Sequence, residues 1–297
     1  PAYKVLPYDL NSELFTDYAL KKRFVWMPEG TKATYTEDGE VLDLPVGAVL
    51  IKNFYYENIN PGGGTKIIET RLMIRKESGW VFANYVWNSD KSDALLDMDG
   101  SETRVVWDLD GETRNIIYNI PSENDCRWCH ALNEQVTPIG IKPQNLNKDF
   151  QYNNGSMNQL ARWKQEGYLN TVPSSVNSTI DWKEENQPLE LRVRSYLDIN
   201  CAHCHRPGNW EHPSINLQFN ETSDPLNLGV CVEPMDFVSG PQTYIVTKQD
   251  PFLSLMHFRM NTNTQADRMP TIGRTIIHEE GVQLIEDWIN SLDGNCP

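Results

Sequence analysis

The sequence predicts an α+β multidomain protein, with an N-terminal β-sandwich or barrel-like domain over residues 1–120 and a mainly α-helical region after it. Three observations carry that prediction. Before residue 121, short runs of β-branched and aromatic residues alternate with Gly, Pro and Asp turn signals, a punctuation that suits a sandwich or barrel. Further on, apolar residues recur at helical spacing. The helical region also holds two similar five-residue words, Cys126-Arg127-Trp128-Cys129-His130 and Cys201-Ala202-His203-Cys204-His205.

The strand runs are Arg23–Met27, Ala48–Tyr56, Lys66–Arg75, Trp80–Trp87, Thr103–Leu109 and Thr113–Ile120. Pro28-Glu29-Gly30, Pro61-Gly62-Gly63-Gly64, Ser78-Gly79 and Asp110-Gly111 are among the turns between them. This region holds no His and no Cys. Its aromatics, Trp26, Tyr55, Tyr56, Trp80, Tyr85, Trp87 and Trp107, suit either a strand core or a sugar-binding platform. Beyond it, Leu189, Val193, Tyr196 and Leu197 place a helix directly before Cys201. Asp250-Pro251 suits the start of a helix reaching Met260. A last helix runs from about His278 to Leu292, with Val282, Ile285, Trp288 and Ile289 on one face. These stretches suggest one module over 121–187 and a second over 188–297, each with a word followed by a helix containing a Trp, Trp163 or Trp288.

Cys-x-x-Cys-His is the attachment word of c-type haem. Two thiols three positions apart on a helical turn can each add to a porphyrin vinyl group, and the next residue then offers its imidazole to the iron. A structural zinc site or a redox dithiol also uses Cys-x-x-Cys, but neither requires the His that stands after both pairs. The expectation is two covalently bound haem c groups, attached at Cys126, Cys129, Cys201 and Cys204, with His130 and His205 as proximal axial ligands. On that basis the second module is class I cytochrome c-like.

Met269, in Asp267-Arg268-Met269-Pro270, is the expected distal ligand of the second haem; Met/His ligation favours electron transfer over substrate chemistry. For the first haem Met157 is one candidate. Another Met or His (Met235, His212, His257, His278) and an open iron are the alternatives. Two cysteines remain, Cys231 and Cys296, and in an oxidising compartment they are expected to pair. Closing a loop of about 65 residues would contribute roughly 4 kcal/mol on the chain-entropy argument.

The net charge of −15 argues against nucleic acid and anionic membranes as partners. No apolar run approaches the length of a transmembrane segment. Attachment of haem to such words takes place outside the bacterial cytoplasm, so a periplasmic or extracellular protein with its signal peptide removed is expected.

The chain resembles a bacterial family of secreted di-haem c-type cytochromes, with a β domain first and a cytochrome c-like region last. The likeness rests on the two words and Met269-Pro270, together with Ile68-Glu69-Thr70-Arg71-Leu72, Tyr85-Val86-Trp87-Asn88, Thr137-Pro138-Ile139-Gly140, Tyr196-Leu197-Asp198-Ile199-Asn200 and Glu279-Glu280-Gly281. The resemblance implies a redox partner protein, either a propeller-type sugar or alcohol dehydrogenase or another cytochrome. An electron carrier with no catalytic residues is the leading expectation. A di-haem peroxidase-like enzyme with an open first haem, and a β-domain binding module that positions a cytochrome, are the alternatives.

Overall fold

The computed structural model describes residues 4–209, 215–235 and 240–297. They form two units, one of Pro1–Asn11 with Tyr18–Ser178, the other of Ser12–Asp17 with Thr179–Pro297. Each unit contains one Cys-x-x-Cys-His word.

The first unit is built on a six-stranded antiparallel sheet in sequential order: β1 (Leu6–Tyr8), β2 (Leu20–Trp26), β3 (Val49–Tyr56), β4 (Lys66–Lys76), β5 (Gly79–Trp87) and β6 (Ala94–Leu96). β7 (Ser101–Leu109) and β8 (Glu112–Ile120) form a separate hairpin whose turn residues Asp110 and Gly111 both have positive φ. That suits the Asp-Gly pair and the right-handed twist of the flanking strands. The six predicted strand runs are strands, but they build a meander and a hairpin; the sandwich or barrel does not form. Alternation along each strand sorts the sheet into two faces. One of them carries Leu6, Tyr8, Val25, Leu50, Phe54 and Met73, all buried. After the hairpin come α1 (Glu123–His130), β9 (Ala131–Leu132), β10 (Gln135–Val136), α2 (Pro143–Leu146), β11 (Asp149–Tyr152), β12 (Gly155–Asn158) and α3 (Gln159–Gln165). Asn158 caps α3, accepting from the amides of Leu160 and Ala161, and α3 buries Trp163 completely.

The second unit holds α4 (Leu189–Asn200), α5 (Leu255–Met260) and α6 (Glu279–Ser291). Its core packs Val193, Leu197, Leu217, Leu228, Ile245, Ile285 and Trp288 together. The prediction of a mainly α-helical, cytochrome c-like region from residue 121 onward is therefore wrong. Among the described residues its longest helix has 13 residues, β9–β12 interrupt the first stretch, and turns fill most of 201–209, 215–235, 240–254 and 261–278. Proline accounts for much of this. Pro225, Pro234, Pro241 and Pro251 each interrupt a helix that would run through them. Asp250-Pro251 opens a turn, and α5 starts only at Leu255.

Cys231 and Cys296 are joined by a disulfide, with Cα atoms 5.2 Å apart. Among the described residues no helix is long and apolar enough to cross a membrane.

Candidate haem-attachment sites

The first word lies in α1, which opens with a reciprocal cap. Ser122 Oγ accepts from the Asp125 amide, and the Ser122 amide donates to Asp125 Oδ2. Cys126, Cys129 and His130 stand at i, i+3 and i+4 and share one helix face. α1 buries none of its eight residues in protein: Cys126, Cys129 and His130 are half-buried and Trp128 is 51% exposed. A helix with no fully buried residue leaves its half-buried thiol face available to a large apolar group.

His130 is oriented by the segment that follows it. Asn133 and Glu134 both take positive φ, turning β9 back onto β10. This brings the Thr137 carbonyl to 2.8 Å from His130 Nδ1. A carbonyl can only accept, so Nδ1 carries the proton and Nε2 is the lone-pair nitrogen. That second contact fixes the tautomer a metal-ligating imidazole needs. The Thr137 amide also donates to the His130 carbonyl at 2.7 Å, and the ring meets Phe82 edge-on, 5.3 Å between centroids.

Phe82 belongs to the buried face of the sheet. The same face carries a polar row, because Arg23, Lys52, Arg71 and Asn84 are register partners across β2, β3, β4 and β5. Arg71 donates to Glu69 through Nε (3.0 Å) and Nη2 (2.5 Å), and Tyr118 Oη donates to Glu69 Oε1 at 2.8 Å. Glu69 is fully buried. Burial raises the Cys126 thiol pKa, and the Arg71 guanidinium nearby opposes the rise. Asn84 is 3% exposed, yet neither its Oδ1 nor its Nδ2 has a hydrogen-bond partner, and Arg23 Nη2 is likewise unmatched. Buried polar atoms without partners cost about 1–3 kcal/mol each.

The second word follows α4 as a series of turns. The Cys201 and Ala202 amides donate to the Leu197 carbonyl, and those of Cys204 and His205 donate to the Cys201 carbonyl at 3.0 and 2.9 Å. These turns gather the two thiols and the imidazole on an apolar base in which Ala202 is fully buried and Cys201 packs on the core. Burial pushes the Cys201 thiol up to about 12, with Asp198 adding to the effect. All four thiols of the two words are unbridged and half-buried, although the remaining two cysteines are bonded to each other. His203, inside the second word, has a buried Nδ1 with no hydrogen-bond partner.

Met269 lies in the same unit as His205, on a loop that one arginine gathers from several sides. Buried Arg274 donates to the carbonyls of Met269 (3.1 Å), Arg259 (3.1 Å), Met260 (3.3 Å), Thr262 (2.8 Å) and Ile276 (3.3 Å). The Met269 amide donates to the Arg259 carbonyl at 2.8 Å, leaving the thioether half-buried. Asp17 fixes the end of the loop, accepting from the Thr275 amide (2.7 Å), the Thr275 hydroxyl (2.9 Å) and the Ile276 amide (3.1 Å). Met157 lies in strand β12, paired with Phe150 and two residues ahead of α3.

The other candidate ligands have structural surroundings. His278 Nδ1 is 3.0 Å from the Tyr196 hydroxyl, and its ring stacks on Phe15 at 4.1 Å. Gly281 makes that contact possible, since a Cβ there would collide with the Tyr196 hydroxyl. His257 Nε2 lies 3.3 Å from Glu286, and Met235 is 63% exposed. His212 lies outside the described residues. The aromatic residues proposed as a sugar platform include Tyr56 and Trp107, whose rings pack 4.7 Å apart in the core.

Sequence reasoning missed the Thr137 carbonyl, the cation row and Arg274. Thr137-Pro138 and Glu69-Thr70-Arg71 stood out only as marks of kinship, and nothing local to them signals a partner far along the chain. No family model, no curated protein and no solved structure matches this chain.

Proposed function

We propose that this chain is a di-haem c-type cytochrome that carries electrons between redox partners outside the cytoplasm. The observation that carries the reading is the pair of Cys-x-x-Cys-His words, one in each unit, whose four thiols stay unbridged while Cys231 and Cys296 bond to each other. When bound, each haem supplies a one-electron iron couple.

The residues divide the work. Cys126 with Cys129, and Cys201 with Cys204, provide the thioether anchors. His130 offers Nε2 to iron because Thr137 holds the proton on Nδ1. His205 serves the second site, with Met269 as its distal ligand on the loop that Arg274 and Asp17 shape. A Met/His set fills both axial positions and excludes substrate from that iron. The disulfide supports an oxidising compartment. The family resemblance supports a sugar or alcohol dehydrogenase, or a further cytochrome, as the partner, which would meet a protein of net charge −15.

Carbon monoxide added to the dithionite-reduced protein tests the carrier role. Spectra that do not change support it; a haem that binds carbon monoxide and turns over peroxide contradicts it. Met269→Ala is expected to abolish the sulfur-to-iron charge-transfer band of the ferric protein, and a band that survives removes Met269 from the ligand set.

A further inference from the structure

We propose that Lys52, flanked by Arg23, Arg71 and Asn84 on the buried face of the sheet, binds the porphyrin carboxylates of the first haem. The inference rests on the haem reading above and goes beyond it, because Cys-x-x-Cys-His words specify attachment and axial ligation but not the seat of the propionates.

The argument begins with charge. In a chain of net charge −15, this face gathers three cations in one row. Two have carboxylate partners: Arg71 pairs with Glu69 at 2.5 Å, and Arg23 with Asp9 at 2.6 Å. Lys52 has no hydrogen bond and no carboxylate within ion-pair distance. Its ammonium lies 4.9 Å from the centroid of the Phe54 ring, which Arg71 also covers at 4.2 Å. Burial, aided by Arg23, Lys21 and Arg71 and opposed by the Glu69 carboxylate that Arg71 already engages, holds the Lys52 ammonium well below the usual lysine range. A half-buried cation among cations destabilises the fold unless an anion joins it.

Hydrogen-bonding capacity points the same way. Asn84, next in the row after Arg71, has an unused side-chain donor and acceptor in a nearly solvent-free position, and Arg23 Nη2 has an unused donor at the other end. The Asn84 amide and Arg23 Nη2 are sealed within the protein, so half-buried Lys52, which has no hydrogen bond, is the donor of the row that a carboxylate oxygen can reach.

Placement supplies the third element. Arg71 opposes the burial-driven rise of the Cys126 thiol, so the two share a neighbourhood in the first unit. Strands lie about 4.8 Å apart, so Lys52 stands about one strand, and Arg23 about two strands, further along the row. A porphyrin joined through its vinyl carbons carries its two propionates at the edge remote from the thioethers. His130 lies over Phe82, one residue pair along the strands from Asn84 on the same face.

The test is redox-difference infrared spectroscopy of the holoprotein, produced with aminolaevulinate 13C-labelled at its carboxyl carbon so that the propionate stretches can be identified. In Lys52→Met, the labelled carboxylate band of one haem is expected to shift, and the reduction potential of that haem alone to fall as ferric iron loses a nearby cation. Lys52→Arg is expected to restore both. Unchanged propionate bands in a Lys52→Met protein that holds both haems overturn the proposal and leave the haem reading standing. A wild-type protein without haem overturns both. Should Lys52→Met fail to fold, Asn84→Asp serves instead. It places a carboxylate in the row, and it is expected to shift the same band and lower the same potential; no shift overturns the proposal.

Discussion

The two Cys-x-x-Cys-His words share a spelling and differ in almost everything around it. The first lies in a capped helix that buries none of its residues, beside a sheet face whose centre is ionic: Glu69, Arg71, Lys52, Arg23 and Asn84. The second follows a helix end and rests on an apolar core that includes Val193, Leu197, Ala202 and Ile285. The thiols register the difference. Cys201 is pushed up to about 12 by burial and by Asp198, whereas at Cys126 the effect of burial is countered by Arg71. A five-residue word can therefore specify attachment, while the surrounding fold sets the electrostatics that a bound group experiences.

That comparison is broken most severely at Glu69. Glu69→Leu leaves Arg71 next to Lys52 without its buried carboxylate and strands the Tyr118 hydroxyl, so a loss of about 3–5 kcal/mol from the first unit is expected. Denaturant unfolding monitored separately in the two units, for example by hydrogen exchange, should show the first weakened and the second unchanged. The complementary change is Cys231→Ser with Cys296→Ser. Opening that 65-residue separation should cost the second unit roughly 4 kcal/mol and leave the sheet unaffected. Equal losses in both units would mean that they do not unfold independently.

Asp17 sharpens the comparison within the second unit. Asp17→Ala orphans two amides and a hydroxyl at the end of the Met269 loop, for an expected loss of about 2–4 kcal/mol. Asp17→Asn keeps the Oδ1 acceptor and should cost far less. Burial raises the Asp17 pKa above its ordinary 3.8, against the opposing effect of the Thr275 and Ile276 hydrogen bonds. Protonation therefore favours the folded form. This contribution is complete below pH 3.8 and disappears as pH rises through the raised value, a slope that the Asn variant should lack in pH-dependent unfolding. The smallest effect is expected at Ser122→Ala, which removes the cap of the helix holding the first word and should cost about 1 kcal/mol by thermal unfolding.

The elements legible in the sequence are those whose signal is local. Period-two runs between Gly and Asp turns located β2–β5, β7 and β8, and the apolar spacing of Val282, Ile285, Trp288 and Ile289 located α6 to within a residue at each end. The attachment words were legible because their chemistry depends on spacing alone. The closure of the sheet was not, since pairing order depends on partners far apart in the chain, and the same strands can build a sandwich or a meander. The cation row was hidden for the same reason: Arg23, Lys52, Arg71 and Asn84 are scattered through 62 positions, and only register aligns them. The mainly helical expectation beyond residue 121 failed where prolines favour turns, and of the helix expected from Asp250-Pro251 to Met260 only Leu255–Met260 forms.

The account depends on two porphyrins attached through thioethers. Intact-mass spectrometry of the denatured full-length chain, with absorbance recorded in alkaline pyridine, tests this directly. The account predicts the polypeptide mass plus two haems, falling to one haem in Cys126→Ala/Cys129→Ala and to one in Cys201→Ala/Cys204→Ala. A bare polypeptide mass with no haemochrome spectrum would contradict it.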